Sequence, residues 1–238
     1  RLVAVFQSTS ATTVGPVRSA RTSDLPLLEG FDRPLFAYSG ANRGTRNQLR
    51  ASPLVDAGYD THDGDYWRDR KRRAPHNLFT DTDRLWAHYV NRTNVPPAPF
   101  KYRYPGQPLH PSAEKATGVS VDFGLTEIDY AWNGEGWART HGDLAHSDAD
   151  GVRVAPANVV IQFIQYGRSL ADLRSPEAVT VGVGEAWLFT EGNIIRGKWN
   201  RTDASLPATF TADGEEIRLT PGKTWVALAK KETAEWRN

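Results

Sequence analysis

The chain contains neither cysteine nor methionine. Without cysteine there is no disulfide, no thiolate nucleophile and no thiolate-ligated metal, a state equally at home in the cytosol and in a bacterial extracytoplasmic protein. No apolar run approaches the roughly 18 residues of a membrane span, and no signal-peptide pattern is present. The chain opens at Arg1 inside what reads as a strand, so a further N-terminal piece is expected upstream, and the missing methionine fits that expectation. Net charge is scarce too: 29 Lys and Arg stand against 28 Asp and Glu, leaving +1. No global field steers such a protein onto nucleic acid or an anionic membrane, so local clusters must carry any charge argument. A Gly-x-Ser-x-Gly elbow, a P-loop and a dinucleotide fingerprint are all lacking.

What is present describes an ordinary folded chain. Its 238 residues are 39% hydrophobic and 24% charged, which excludes extended disorder and leaves ample material for a core. Leu2-Val3-Ala4-Val5-Phe6 reads as a short strand buried on both faces. Leu25 to Glu29 reads as a short helix closed by Gly30, and Pro34 to Gly40 as a second strand ending in small polar residues. Asn42 to Leu49 and Pro53 to Ala57 read as helical pieces, with Gly58 as the stop. Thr80 with Asp83 resembles a helix start, followed by Leu85, Trp86, Tyr89 and Val90 at helical spacing.

Prolines crowd the stretch from Val95 to Pro111, which reads as a linker. Beyond it short strands recur, among them Asn158 to Tyr166, Asn193 to Trp199 and Thr224 to Ala229. Glu191-Gly192, Asp213-Gly214 and Pro221-Gly222 mark the turns. The expected fold is α+β or α/β: an N-terminal α/β domain over residues 1–111, then a mainly antiparallel β domain over 112–238.

Four motifs stand out in order: Val14-Gly-Pro-Val-Arg-Ser-Ala-Arg21, Arg73-Ala-Pro-His-Asn-Leu-Phe79, Asn158-Val-Val-Ile-Gln-Phe163 and Thr220-Pro-Gly-Lys-Thr-Trp225. Together they resemble the YerB-type lipoprotein family of bacteria, whose N- and C-terminal domains are both of unknown function. The resemblance implies a domain tethered outside the cytoplasmic membrane by a lipidated cysteine upstream of Arg1, and it implies no activity. Where relatives have a histidine and a glycine pair, this chain has Tyr38-Ser39-Gly40-Ala41, so no family role is carried onto that loop.

The first motif packs Arg18, Ser19 and Arg21 behind a rigid Gly-Pro turn. A helix starting near Pro16 would put both arginines on one face, and guanidinium forks beside helix N–H groups suffice to hold phosphate or carboxylate. The alternative is structural pairing with Asp24, Asp32 or carboxylates of another domain. His76-Asn77 follows a proline that fixes the local backbone, so the imidazole is suited to anion binding or to acid–base chemistry. Ser39 and Arg73 complete the expected ligand-binding set of Arg18, Ser19, Arg21, Ser39, Arg73, His76 and Asn77. If a reaction is catalysed, His76 is the candidate acid or base and Asp69 the residue that orients it.

The basic run Arg70 to Arg73 is offset by Asp60, Asp63, Asp65 and Asp69, so nucleic acid is not expected as a partner. Asp60 to Asp65 and His141 to Gly151 contain oxygen and imidazole donors, yet neither matches a calcium loop or a zinc helix. No metal and no cofactor is expected. The sequence reading is therefore an envelope accessory protein that binds an anionic envelope component or an envelope protein partner, touching the membrane only through its lipid anchor. The competing reading is an envelope hydrolase or transferase in which Arg18 and Arg21 stabilise negative charge.

Overall fold

A computed structural model describes residues 2–91, 95–173 and 175–238. The chain divides into two compact units. One comprises residues 1–97 together with 167–177 and 204–206; the other holds the rest. The chain first crosses between Pro97 and Ala98, inside the proline-rich stretch.

The first unit holds α1 (Asp24–Leu28), β1 (Leu35–Phe36), α2 (Arg43–Ala51), β2 (Val55–Asp56), β3 (Tyr66–Arg68), β4 (Leu78–Thr80) and α3 (Thr82–Ala87). β1 and β2 pair in parallel across α2, a small βαβ unit. α2 begins where expected, because the Asn42 side chain accepts the Thr45 N–H at 2.8 Å. α3 starts one residue later than Thr80 suggests. Asp81 is its cap, accepting the Arg84 N–H at 2.7 Å. β3 and β4 form an antiparallel ribbon.

Three expectations fail in this unit. Leu2 to Phe6 forms no strand, and Leu2 and Val5 are exposed; an apolar run becomes a strand only where a neighbour offers backbone partners. Pro53 to Ala57 is not helical but supplies β2, since Val55 favours a pleated setting and β1 offers the ladder. No helix starts near Pro16. The stretch from Val14 to Ala20 is instead extended and bonded on both sides. Val14 exchanges backbone hydrogen bonds with Thr80, and the Val17 N–H donates to the Leu78 carbonyl at 2.7 Å. On the other side the Ser39 N–H donates to Arg18 O, and the Ala20 N–H to Gly40 O, each at 3.0 Å. This stretch thus stitches the βαβ unit to the β3–β4 ribbon. The close approach explains Gly15: a Cβ there would lie 2.5 Å from Phe79 Cδ1 and 2.8 Å from Leu78 O.

In the second unit the chain runs through β5 (Glu114–Lys115), β6 (Gly118–Asp122), β7 (Glu127–Trp132), β8 (Trp137–His141), β9 (Leu144–Ala145) and β10 (Asn158–Phe163). A ribbon of β11 (Gln165–Arg168) and β12 (Pro176–Val179) has its residues divided between the units. Then come β13 (Gly182–Thr190), β14 (Asn193–Arg201), β15 (Thr209–Ala212), β16 (Glu215–Glu216), β17 (Thr224–Ala229) and β18 (Ala234–Arg237).

Seven of these strands make one sheet in the order β16-β15-β14-β13-β10-β17, with β5 also on β14; five make a second, β18-β6-β7-β8-β9. All pairings in these two sheets are antiparallel except β10 with β17. The α+β class with a β-rich C-terminal part is therefore what the chain adopts. β10 is paired on both sides, by β13 and β17, and buried at every position, which accounts for its unbroken run. Val159, Ile161 and Phe163 face the second sheet's Val119, Val121, Ile128 and Tyr130. On the opposite face Val160 joins Leu188, Ile195, Trp199 and Phe210. The turns after β13 and β15 use Glu191-Gly192 and Asp213-Gly214, all four with positive φ, as the hairpin geometry requires. Among the described residues no helix is long and apolar enough to cross a membrane.

Candidate functional site

The expected site residues all lie in the first unit. Because the stretch from Val14 to Ala20 lies between β4 and the loop after β1, it draws the first two motifs together. Arg18 Nη1 lies 3.0 Å from His76 Nδ1, although the residues are 58 positions apart. A guanidinium only donates, so His76 accepts at Nδ1 and the neutral ring carries its proton on Nε2. Arg18 and His76 are both exposed, so they form a surface feature rather than a pocket.

Ser39 meets this segment through its backbone, where its N–H donates to Arg18 O. The Arg73 carbonyl accepts the His76 N–H at 3.0 Å, closing the turn that presents the imidazole, while the Arg73 guanidinium remains exposed. Asn77 braces the same turn. Its carbonyl accepts the Asp69 N–H at 2.8 Å and its Oδ1 accepts Arg68 Nη1 at 2.9 Å. Asn77 is thus occupied in holding the loop.

Arg21 points elsewhere. Its Nη1 donates to the Ala20 carbonyl, and its backbone N–H donates to Asp24 Oδ2 at 2.8 Å. Asp69 turns to Arg72 at 3.2 Å and to the Lys71 N–H at 2.9 Å, not to His76. Arg72 also sits over the Phe79 ring, 5.3 Å from its centroid. Of the four residues from Arg70 to Arg73, only Arg72 has a carboxylate partner among the described residues, and neither does Arg18. Arg70, Lys71 and Arg73 are exposed on the loop that leads to His76.

Of the two acidic clusters, the second is a turn. Asp148 Oδ1 accepts the N–H groups of Asp150 and Val152 at 3.0 and 2.9 Å. The first is different, because His62 and Asp65 meet His88 from the end of α3. Nothing local in the sequence marks His88; only the His62-to-Asp65 spacing was visible.

The second unit holds another arginine–histidine pair. Buried Arg139 donates from Nη1 to His146 Nδ1 at 2.8 Å and lies over the Trp225 ring, 4.6 Å from its centroid. Burial and the Arg139 charge hold His146 below the ordinary imidazole range.

The class of protein is a two-part α+β chain in which the two N-terminal motifs meet at Arg18 and His76 and the C-terminal part is built of mainly antiparallel sheets. The family model for the N-terminal domain of DUF3048, a protein of unknown function, matches residues 1–95, and the model for the C-terminal domain of DUF3048 matches residues 119–226. The chain belongs to this family. It is 29% identical to the protein named "Putative lipoprotein YerB" of Bacillus subtilis (strain 168) over 248 aligned positions, covering 96% of this chain and 70% of that one. The crystal structure of the YerB protein from Bacillus subtilis shares the fold, with a TM-score of 0.84 and 24% identity, over 98% of this chain and 80% of the other.

Proposed function

We propose that the chain is an extracytoplasmic, lipoprotein-type accessory protein of the cell envelope that binds an anionic envelope polymer through the surface around Arg18 and His76. The placement outside the membrane rests on the lipoprotein name of its Bacillus relative. The observation that carries the ligand is the 3.0 Å contact between exposed Arg18 and exposed His76, with Arg70, Lys71 and Arg73 exposed on the loop that leads to His76.

The exposure of this surface selects the kind of ligand. Exposed charge pairs contribute only about 0.2–1 kcal/mol each, so a single phosphate on such a face binds weakly. An extended polyanion engages several cations at once and gains from their effective concentration. A phosphodiester polymer of the wall type suits the surface better than a small metabolite. His76 contributes an Nε2–H donor, and Arg18 its remaining N–H groups.

The test is binding of glycerol-phosphate oligomers, with inorganic phosphate alongside, followed by thermal unfolding and titration calorimetry. Oligomer binding that weakens as salt rises, and that Arg18→Ala and His76→Ala each reduce several-fold, is the expected result. Equal binding by wild type and both variants overturns the reading.

A further inference from the structure

A second site stands in the same unit, and no part of the argument for it uses Arg18 or His76. The chain makes a single 3-10 turn at residues 63–65, with His62 as its cap. That turn puts His62 Nδ1 3.5 Å from Asp65 Oδ2. His88, at the C-terminal end of α3, brings Nε2 to 2.8 Å from the same oxygen. The three ligand atoms all lie within 4.8 Å of one another, and this is the one such group among the described residues.

The arrangement is held from behind. The Asp65 carbonyl accepts the hydroxyl of the buried Thr80 at 2.9 Å, and the His62 N–H donates to Gly58 O at 3.0 Å. Tyr89 donates its hydroxyl proton to the Asp56 carbonyl at 3.3 Å, while its oxygen lies 3.1 Å from His62 Nε2. His62 Nδ1 faces the Asp65 carboxylate on the other side of the ring. Either a proton or a metal ion can bridge an imidazole nitrogen and a carboxylate oxygen set this way. A histidine whose far nitrogen is fixed by an outer hydrogen bond is also how metal ligands are oriented.

We propose that His62 Nδ1, Asp65 Oδ2 and His88 Nε2 bind a first-row divalent cation, zinc foremost. Two imidazoles and a carboxylate suit zinc and its neighbours rather than magnesium or calcium, which take oxygen ligands. Tetrahedral zinc, with bonds of about 2.0–2.1 Å, sets its ligand atoms about 3.3–3.5 Å apart. The His62–Asp65 separation already matches. The His88–Asp65 separation of 2.8 Å has to open by roughly half an ångström, which the half-exposed His88 ring is free to do. Three protein ligands leave a fourth position for water or for an anionic donor from outside.

The experiment uses the whole chain, stripped with a chelator and titrated with Zn2+ alone by calorimetry, with Co2+ as a spectroscopic stand-in. One saturable zinc per chain is expected, together with cobalt absorption typical of four-coordinate nitrogen and oxygen ligation. Mg2+ and Ca2+ at the same concentrations are expected to give no saturable heat. His88→Ala should lower zinc affinity by about tenfold or more, and His141→Ala should leave it unchanged. If His88→Ala unfolds in the absence of metal, His88→Gln, which keeps most of the side-chain volume, takes its place. Absence of saturable binding to wild type, or equal affinity in wild type and the folded His88 variant, overturns the proposal and leaves a hydrogen-bonded His–Asp–His group with no ion.

Discussion

The hydroxyls of Thr22 and Ser169 lie 2.8 Å apart, both residues buried, across 147 positions of sequence. Thr22 follows directly on Arg21, so this bond ties the end of the first motif to the segment 167–177. Glu177 reinforces it, accepting from Thr22 Oγ1 at 3.2 Å. Ser169 Oγ also lies 3.3 Å from the N–H groups of both Ala171 and Asp172. Replacing Ser169 with Ala leaves Thr22 with Glu177 alone and takes the shared acceptor from the Ala171 and Asp172 N–H groups. The expected loss is about 1–3 kcal/mol in denaturant unfolding, and an unchanged midpoint would mean the segment does not brace the motif.

Gly15 is expected to be irreplaceable for steric reasons. Gly15→Ala drives a methyl group into Phe79 and the Leu78 carbonyl, part of the ladder that aligns Arg18 with His76. The melting temperature should fall by several degrees, with loss of polyanion binding. Gly64, around which an added Cβ meets nothing within 4 Å, is the control: Gly64→Ala should be neutral or slightly stabilising.

The Arg139–His146 pair predicts an acid limb of stability. In the folded state His146 titrates below its ordinary value, so as pH falls beneath about 6.5 the unfolded chain takes up a proton that the folded one refuses. Stability is complete above that range and declines on acidification toward the depressed folded value. His146→Gln keeps an acceptor for Arg139 and removes the titration. Unfolding midpoints measured from pH 7.5 to 5 should therefore fall less steeply in this variant than in wild type.

A complementary limb is expected in alkali. Burial, and after it the Asp56 carboxylate, push the Tyr38 hydroxyl up to about 12; the phenol donates to Asp56 Oδ2 at 3.1 Å. Between the ordinary tyrosine range near 10 and that value the folded chain keeps a proton the unfolded chain has lost. Stability should drop across this window as pH rises. Ultraviolet titration of phenolate is the check, and Tyr38→Phe should remove one late-ionising group.

Patterns of local origin were legible in the sequence. The Asn42 cap, the turn glycines and the buried run of β10 all fold as their residues dictate, because cap chemistry, positive φ and period are properties of neighbours in the chain. Partner-dependent features were not legible. Leu2 to Phe6 has strand composition without a ladder to join, while Val55 and Asp56 become a strand because Leu35 and Phe36 are beside them. β6, β7 and β8 are short and lack a continuous apolar run, although the alternation of apolar and polar residues in Glu127-Ile-Asp-Tyr130 was a strand signal within reach. The pairing of Arg18 with His76 lay outside the sequence's reach because it depends on a distant partner, as did the approach of His88 to Asp65. The helical placement of Arg18 and Arg21 failed because backbone partners on both sides outweighed the local preference of a Gly-Pro start.

The N-terminal unit is assembled from three separate pieces of the chain, the last of them at residues 204–206. A ribosome delivering this polypeptide therefore releases nearly all of the second unit's sequence up to β14 before the first has its full complement of residues. Cutting after Pro97 would yield a fragment lacking Ser169 and its neighbours, with the Thr22 hydroxyl left bare. For this fold the order of synthesis and the order of completion are not the same.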